Sequence, residues 1–431
     1  MMNTLNCDVV IVGCGVSGCF AALHLSEKYK VIMLSKESFE ESDSYLAQGG
    51  ICVMRNDGDY DSFYRDTMKA GHNENRAESV DLMIRGSREV IDELVSYGVR
   101  FERNEDGSFK YTREGAHEFA RILFHEDITG KEITSHLLEA VKNKPNITLM
   151  EYTTMLDIIE KDNTCLGIAC ETKDGELFAI QAAYTLLATG GVGGLYPHST
   201  NFPCLTADSV AIALEHGIEV ENVDYVQIHP TTLYTKEAGR SFLISESVRG
   251  EGAKLRGADG ERFANEVLPR DLMTAEIHKQ MEKDQKPYVW LDMTVLGEEV
   301  IKGHFPNIYQ RCLEEGYDAI HDWIPVVPAQ HYFMGGVHVN RNSKTTMDRL
   351  YASGETSCNG VHGRNRLASN SLLESLVFAK RAALEINTLP MDLADGFDAL
   401  WTSKKSELEK TRDTLSEKYK DLVWKEIKRS R

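Results

Sequence analysis

The sequence has no excess of positive charge, no long apolar run and no paired cysteine spacing. Against 48 Lys and Arg stand 67 Asp and Glu, a formal net charge of −19. A chain this acidic repels nucleic acid and anionic membranes, and no basic stripe offsets the balance. No stretch approaches the roughly 20 apolar residues of a membrane span. The N-terminus shows no signal peptide: the apolar run at residues 9–12 is far too short, and Asp8 precedes it. The nine cysteines are odd in number and form no CxxC pair. That argues against a disulfide framework, a zinc site and a cysteine-ligated iron–sulfur cluster, and no metal is expected. They read as small buried apolar residues in a reducing compartment, which predicts a cytoplasmic protein. Internal repeats and low-complexity segments are also absent.

What is present starts at residue 7. Cys7-Asp8-Val9-Val10-Ile11-Val12 has strand length, Gly13-Cys14-Gly15-Val16-Ser17-Gly18 follows, and Cys19-Phe20-Ala21-Ala22-Leu23-His24-Leu25 reads as a buried helix before a second strand, Lys30-Val31-Ile32-Met33-Leu34. This βαβ order predicts an α/β fold on a parallel sheet. In such a unit the first glycine permits the tight turn, the second lets backbone approach a pyrophosphate, and the third lets helix and strand pack closely. The helix N-terminus then faces the phosphate charge. Gly13, Gly15 and Gly18, with Val16 and Ser17 between them, are therefore candidate dinucleotide-binding residues. The acidic residue expected roughly 20 positions on, to hold a ribose, is missing. Ser35-Lys36 stands there, with Glu37 slightly late, which weakens a reading as an NAD site.

Further along, residues 75–100 carry helical spacing (Val80, Met83, Ile84, Val90, Ile91, Leu94) ending near Gly98, and residues 130–142 predict another helix. Residues 147–187 alternate short apolar runs with turn signals such as Asp174-Gly175, as in an antiparallel ribbon. The ribbon leads back to a core strand, Tyr184-Thr185-Leu186-Leu187-Ala188, closed by Thr189-Gly190-Gly191. From about 225 to 340 the pattern is irregular and rich in Gly, Pro, His and Arg, as in an inserted domain with functional loops. A core-type strand and turn reappear at Arg349-Leu350-Tyr351-Ala352-Ser353-Gly354-Glu355, and residues 371–386 predict a helix, so the first domain is interrupted and resumed. In the tail, Trp401, Leu408, Leu415 and Leu422 fall seven residues apart. This apolar stripe predicts one or two helices packed on the body, with a partner-binding helix as the alternative.

Between and beyond these elements a series of motifs runs in order. They are Ser44-Tyr45-Leu46-Ala47-Gln48-Gly49-Gly50, Gln227-Ile228-His229-Pro230-Thr231, Ser245-Glu246-Ser247-Val248-Arg249-Gly250-Glu251-Gly252, Pro269-Arg270-Asp271 and Pro328-Ala329-Gln330-His331-Tyr332. Ser353-Gly354-Glu355 and His362-Gly363-Arg364-Asn365-Arg366-Leu367-Ala368-Ser369-Asn370-Ser371-Leu372-Leu373-Glu374 close it. The series resembles the succinate dehydrogenase/fumarate reductase flavoprotein family over about residues 5–386. That family carries Ser-Lys at the end of the second strand, which accounts for the missing acid. The resemblance implies non-covalent FAD held by Gly13, Gly15, Val16, Ser17, Gly18, Lys36, Ser44, Ala47, Gln48, Gly49, Gly50, Gly190, Asp208, Glu355, Ser371 and Leu372. Asp208 has an equal reading as the N-cap of a helix over 209–214. The implied architecture is a Rossmann-like FAD-binding domain (1–225 and 341–390) interrupted by an inserted α+β capping domain (226–340), with a short C-terminal helical segment (391–431). Many members of the family continue into a further helical domain at the point where this chain stops.

Three positions resemble the aspartate-oxidase branch of that family. Members that attach FAD covalently do so through a histidine, and the aligned position here is Asp43. Arg113-Glu114-Gly115-Ala116-His117 resembles the form in which the glutamate faces a substrate ammonium group; on its residue type alone Glu114 reads as a solvated loop charge, the commonest fate of a Glu, and only the surrounding motif lifts it above that. Ala368-Ser369-Asn370 is the third. Arg364 and Ser245 depart from the residues usual at their positions, Ala and Thr.

A dicarboxylate requires two donor clusters set apart by its own length, and the planar fork of arginine suits a carboxylate. Arg366 and His331 are the candidates for one carboxylate. His229, Ser245, Glu246 and Arg249 surround the other, with Glu246 orienting its basic neighbours. Arg270 stands where fumarate-reducing relatives place a proton-transfer group; since arginine is a poor general base, its expected part is to orient substrate and balance charge. The implied reaction is hydride transfer from the Cα of L-aspartate to flavin N5, giving iminoaspartate, with reoxidation by oxygen or fumarate. The product feeds quinolinate and NAD synthesis, and quinolinate synthase is the implied downstream partner. The rival readings are a soluble fumarate reductase or succinate oxidase, the flavoprotein subunit of an electron-transfer complex, and a non-catalytic nucleotide-binding module. Glu114, Asp43 and the clustered His and Arg motifs argue against them in turn.

Overall fold

The structure is a computed structural model that describes residues 4–236 and 240–430. Its main sheet runs in the order Ile147–Met150, Val31–Leu34, Thr4–Val12, Leu177–Leu187, Thr164–Thr172, Thr153–Lys161. The first four strands are parallel, as the opening βαβ pattern predicts. From Val9 to Val12 the first strand is buried on both faces, so it reads there as a continuous apolar run rather than an alternating one. Val9 and Ile11 face one layer, with helices Val16–His24, Thr129–Lys142 and Asn370–Ile386. Val10 and Val12 face the other, with helix Asp208–Glu215 and the C-terminal helix.

The expected ribbon at 147–187 is part of this sheet rather than an appendage. Strand Ile147–Met150 pairs with Val31–Leu34, and the three strands from Thr153 to Leu187 form an antiparallel meander along its edge. Strand Leu177–Leu187 has two neighbours along that edge. Its first half pairs with the meander, and its last residues, Thr185 to Leu187, pair in parallel with Leu350–Ala352. The chain thus returns to the first sheet after its long excursion.

Residues 226–333 contribute a separate four-stranded sheet in the order Val226–Leu233, Ile324–Phe333, Val289–Asp292, Lys254–Arg256, with its own apolar core. The excursion is more regular than its composition predicts. Helix Arg270–Asp284 buries Arg270, Met273, Ile277 and Gln280. Those positions form a proper helical stripe, but two of the four are polar, so apolar spacing does not show it. Strand Val226–Leu233 bulges between Gln227 and Ile228 and again between His229 and Thr232. Pro230 lies in the second irregularity and has no N–H to give the ladder.

The tail is one helix, Phe397–Ser430, laid against helix Asp208–Glu215 and the meander. Trp401, Leu408 and Leu415 are buried as expected, but the stripe continues through Tyr419, Val423 and Ile427, with Leu422 left half-buried. A straight α-helix drifts by about 20° per seven residues, so the buried line moves to a spacing of four. Among the described residues, no helix is long and apolar enough to cross a membrane.

Candidate active site

The connections after strands Thr4–Val12, Val31–Leu34, Leu177–Leu187 and Leu350–Ala352 converge on one cavity, where Gly13, Ser35, Ala188 and Ser353 line the wall. Ligands bind at this carboxyl edge of a parallel sheet because the turns there are free to vary. At Gly13 the backbone is at φ +113°, and a Cβ would stand 2.1 Å from the Ala188 carbonyl oxygen. A Cβ on Gly18 would stand 2.0 Å from the Gly13 oxygen, so only glycine lets helix Val16–His24 lie this close to the strand. That helix starts without a side-chain cap, and the Val16 N–H donates to Ser44 Oγ at 3.2 Å. Val16 and Gly18 do not reach the cavity wall; their parts are to tie the loop and to pack the helix.

Lys36 donates to Asp208 at 2.8 Å and to the Thr206 hydroxyl and Cys204 carbonyl at 3.1 Å each. Asp208 is the first residue of its helix, after a left-handed Ala207, and accepts from Thr206 Oγ1 at 2.7 Å. It is therefore a partner of Lys36 on the cavity wall rather than an N-cap. Gln48 Oε1, Ser42 Oγ and Asp43 Oδ2 are buried without a partner. Burial raises the Asp43 carboxyl to about 7, against the Phe202 N–H that it accepts at 3.0 Å and the charge of Arg240. Glu355 accepts the Phe333 N–H at 2.9 Å, and burial, then the charge of Asp43, push its carboxyl well up. An uncapped helix N-terminus, backbone opened by glycine and orphaned buried polar atoms together fit a dinucleotide cofactor. Ser17, Ala47, Gly49, Gly50, Gly190, Ser371 and Leu372 also line this cavity.

At its other end the same cavity is walled by charged side chains: Glu114, His229, Ser245, Glu246, Arg270, His331 and Arg366. Arg270 donates to Glu246 Oε2 at 2.6 Å and to Gln227 Oε1 at 2.8 Å, which fixes its guanidinium. Burial alone would raise the Glu246 carboxyl, but Arg270 and Arg249 outweigh it and hold it low, so it stays ionised. Arg249 is not on the wall. It gives Nη1 to the Glu266 carbonyl at 2.6 Å and faces Glu246 from behind at 3.8 Å. Its place among the substrate-binding candidates is corrected accordingly: the short helix Glu246–Gly250, capped by Ser245, turns Arg249 away from the cavity.

The rings of His229 and His331 meet edge-on at 5.1 Å. His331 Nδ1 lies 2.7 Å from Thr200 Oγ1, and His229 Nδ1 lies 3.0 Å from the Thr231 carbonyl, leaving His229 Nε2 buried and unpartnered. Burial, then the neighbouring arginines, depress both imidazoles well below their ordinary range, so both are neutral. Arg366 donates to Ser371 Oγ at 2.8 Å, rests on the Tyr332 ring at 4.4 Å and leaves Nε unpartnered. Burial and the charge of Arg270 lower it to about 10, so it remains a cation at neutral pH. Glu114 receives only hydroxyls, from Ser247 at 2.8 Å and Ser369 at 2.5 Å. Its carboxyl is raised by burial and by Glu246.

Residues 8–372 match the FAD binding domain family. The chain is 50% identical to the L-aspartate oxidase of Clostridium perfringens across 88% of this chain and 87% of that one. It is 45% identical to the L-aspartate oxidase of Clostridium acetobutylicum across 96% and 98%. The chain belongs to the L-aspartate oxidases, within the succinate dehydrogenase/fumarate reductase flavoprotein family. Among solved structures, a quinol fumarate reductase of E. coli superposes with a TM-score of 0.88 at 28% identity, over 95% of this chain and 74% of that one. The cofactor of an L-aspartate oxidase is FAD, and the cradle described above fits it.

Several residues of this flavoprotein site carry no assignment from sequence. Gln227, Ser247, Ser369 and Tyr332 stand inside the quoted motifs, but nothing in their type marks them as the partners of Arg270, Glu114 and Arg366. Thr200, the partner of His331, lies in no motif and gave no signal.

Proposed function

We propose that this flavoprotein oxidises L-aspartate to iminoaspartate, and that Glu114 selects the amino acid. The observation that carries the reading is the company Glu114 keeps. Glu246, the other carboxylate at this end of the cavity, is paired with Arg270, whereas both Glu114 oxygens meet only serine hydroxyls. A buried carboxylate without a cation is costly. An ammonium group brought by the substrate supplies that cation, and succinate brings none. The raised proton affinity of Glu114 suits it to take a proton from the ammonium as the C–N bond is oxidised.

Arg366 and the neutral His331 receive one carboxylate of the substrate. Arg270, His229 and Ser245 receive the other. The Glu246 and Gln227 contacts hold Arg270 in one orientation, so its fork is set before the substrate enters. Arg249 balances the charge of Glu246 from outside the cavity. FAD, when bound, supplies the two-electron acceptor, which oxygen or fumarate then relieves. On this reading the inserted residues 226–340 cap an FAD-binding domain formed by 1–225 and 341–390, and the helix in 391–431 braces its outer face. Iminoaspartate feeds quinolinate and NAD synthesis, with quinolinate synthase as the consuming partner. All nine cysteines are free thiols, which supports a reducing, cytoplasmic location.

The test is anaerobic addition of L-aspartate and of succinate, separately, to the yellow holoprotein. Bleaching of the flavin by L-aspartate is the expected result. Bleaching by succinate alone would move the protein to the fumarate reductase side. Failure of both, with FAD bound, would point to a partner-dependent subunit.

A further inference from the structure

Glu114 is held between two turns that share an uncommon backbone conformation. In its own loop Ala116 stands at φ +64°, and Ser369, whose hydroxyl donates to Glu114, stands at φ +61°. Neither residue is glycine, and an L side chain disfavours that left-handed region, so both turns persist only because contacts around them hold. One side chain joins the two. His117, the residue after Ala116, places Nε2 3.0 Å from the carbonyl of Ala368, the residue before Ser369. Cys52 adds to the join: its N–H donates to the Ser369 carbonyl at 3.0 Å and its thiol to the Ala368 carbonyl at 3.5 Å.

Behind the imidazole stands Arg121, fully buried. Its Nη1 donates to Asp66 at 2.6 Å and to His117 Nδ1 at 3.1 Å, and its Nη2 donates to Ser62 at 2.7 Å and to Asp59 at 3.2 Å. Ser62 and Asp66 belong to helix Tyr60–Ala70, and Asp59 precedes it. The two contacts of the ring are complementary. A guanidinium only donates, so Nδ1 must accept; a carbonyl only accepts, so Nε2 must carry the proton. Burial, then the charge of Arg121, depress the imidazole to about 4, so this neutral tautomer is the one present at neutral pH. Neither His117 nor Arg121 lines the cavity, and the dicarboxylate chemistry uses neither.

We propose, resting on the reading of Glu114 as the group that receives the substrate ammonium, that His117 is a positioning residue for amine selectivity: anchored by Arg121, it ties Ala368 to the Glu114 loop and so presents the Ser369 hydroxyl to the Glu114 carboxylate. With the tie cut, the Ser369 turn relaxes. Glu114 then keeps only the Ser247 hydroxyl, on one of its two oxygens, and is free to turn away from the place where an ammonium arrives. The groups that receive the carboxylates are held by other contacts. Arg270 is fixed by Glu246 and Gln227, and Arg366 by Ser371 and by Gln227 Nε2, which donates to its carbonyl at 2.8 Å. Loss of the tie is therefore felt by a substrate with an amine and not by one without.

The test uses the FAD-loaded protein and reads kcat/KM for L-aspartate beside the inhibition constant of succinate, which carries no amine. His117→Asn keeps an acceptor for Arg121 but is too short to reach Ala368. It should lower kcat/KM for L-aspartate about tenfold, the size of one buried hydrogen bond, with succinate affinity and FAD content unchanged. His117→Gln keeps the outer nitrogen as a donor to Ala368 and should restore most of that loss. In a Ser369→Ala background, His117→Asn should cost less than about twofold more, because the group it acts through is already gone. His117→Phe, which fills the ring's volume without either bond, stands in if His117→Asn does not fold. Equal losses for L-aspartate and succinate, full additivity with Ser369→Ala, or a His117→Asn enzyme with unaltered kcat/KM would overturn the proposal. Glu114→Gln in the same assay separates the two levels: if it leaves the preference for L-aspartate over succinate intact, the Glu114 reading itself falls, and the role of His117 with it.

Discussion

On the proposed reading, the two ends of the cavity recognise their ligands by opposite means. At the dinucleotide end the chain offers backbone: an uncapped helix start, glycines that admit no Cβ, and one half-exposed ion pair, Lys36–Asp208. At the substrate end it offers buried charge: two arginines, two neutral histidines and two carboxylates on one wall. Only one of those carboxylates, Glu246, is ion-paired. Backbone recognition asks for shape and suits a large ligand with many contacts. Charge recognition concentrates the whole interaction in a few groups, and it does so against the net charge of −19 of the chain. On that reading, buried cations would meet a dianion where burial strengthens their interaction and the outer field is screened. Single substitutions should therefore be felt much more sharply at the substrate end.

The largest effect is expected from Arg366→Leu. It leaves a dicarboxylate buried without its cation, a loss of about 2–5 kcal/mol, or about 10³-fold in KM for L-aspartate. FAD content measured from the visible spectrum should not change. Loss of FAD along with substrate would show that the two ends are not independent. Next is Glu114→Gln, which should cost about 10²-fold in kcat/KM for L-aspartate, in line with about 2–3 kcal/mol for a charge-assisted hydrogen bond, while succinate binds as before or better. The pH dependence carries the same signature. The Glu114 carboxyl is raised, so its anion is present above the raised value and lost below it. The ratio of aspartate to succinate affinity should rise with pH through that region, and Glu114→Gln should flatten it.

At the dinucleotide end the effects are smaller and of another kind. Gly13→Ala forces a side chain into a positive-φ position against the Ala188 oxygen, at about 1–3 kcal/mol. It should lower Tm and FAD affinity together, with KM for L-aspartate unchanged in the fraction that keeps FAD. Lys36→Met should do least. The pair it breaks is a third exposed on the lysine side, and such pairs contribute about 1 kcal/mol or less. A fewfold weaker FAD affinity by titration is expected, and a loss as large as that of Arg366→Leu would erase the contrast between the ends.

How much of this was legible differs along the same line. The glycine turn, the first two strands and the helices Ala77–Ser96, Thr129–Lys142 and Asn370–Ile386 are read correctly from spacing, because each is a local pattern of apolar residues. Helix Arg270–Asp284 was not, because its buried stripe is half polar. The tail stripe was right at its first three positions, Trp401, Leu408 and Leu415, and then drifted. In the site, the motifs named the charged residues and left their supports unnamed. Arg249 sits in the same motif as Glu246 and yet turns away from the cavity, which no motif can show.

The sequence by itself determined the α/β class, the glycine turn and the family, since a turn, a strand period and an ordered set of motifs are properties of neighbouring residues. Only the tertiary structure decided that Glu114 lies between Ser247 and Ser369, which are 133 and 255 residues away along the chain. It alone decided that Asp208 serves Lys36 rather than its helix. The physical reason is burial. A carboxylate written in a sequence is an ordinary charge, and what it does depends on which distant groups the fold brings against it once water has been removed.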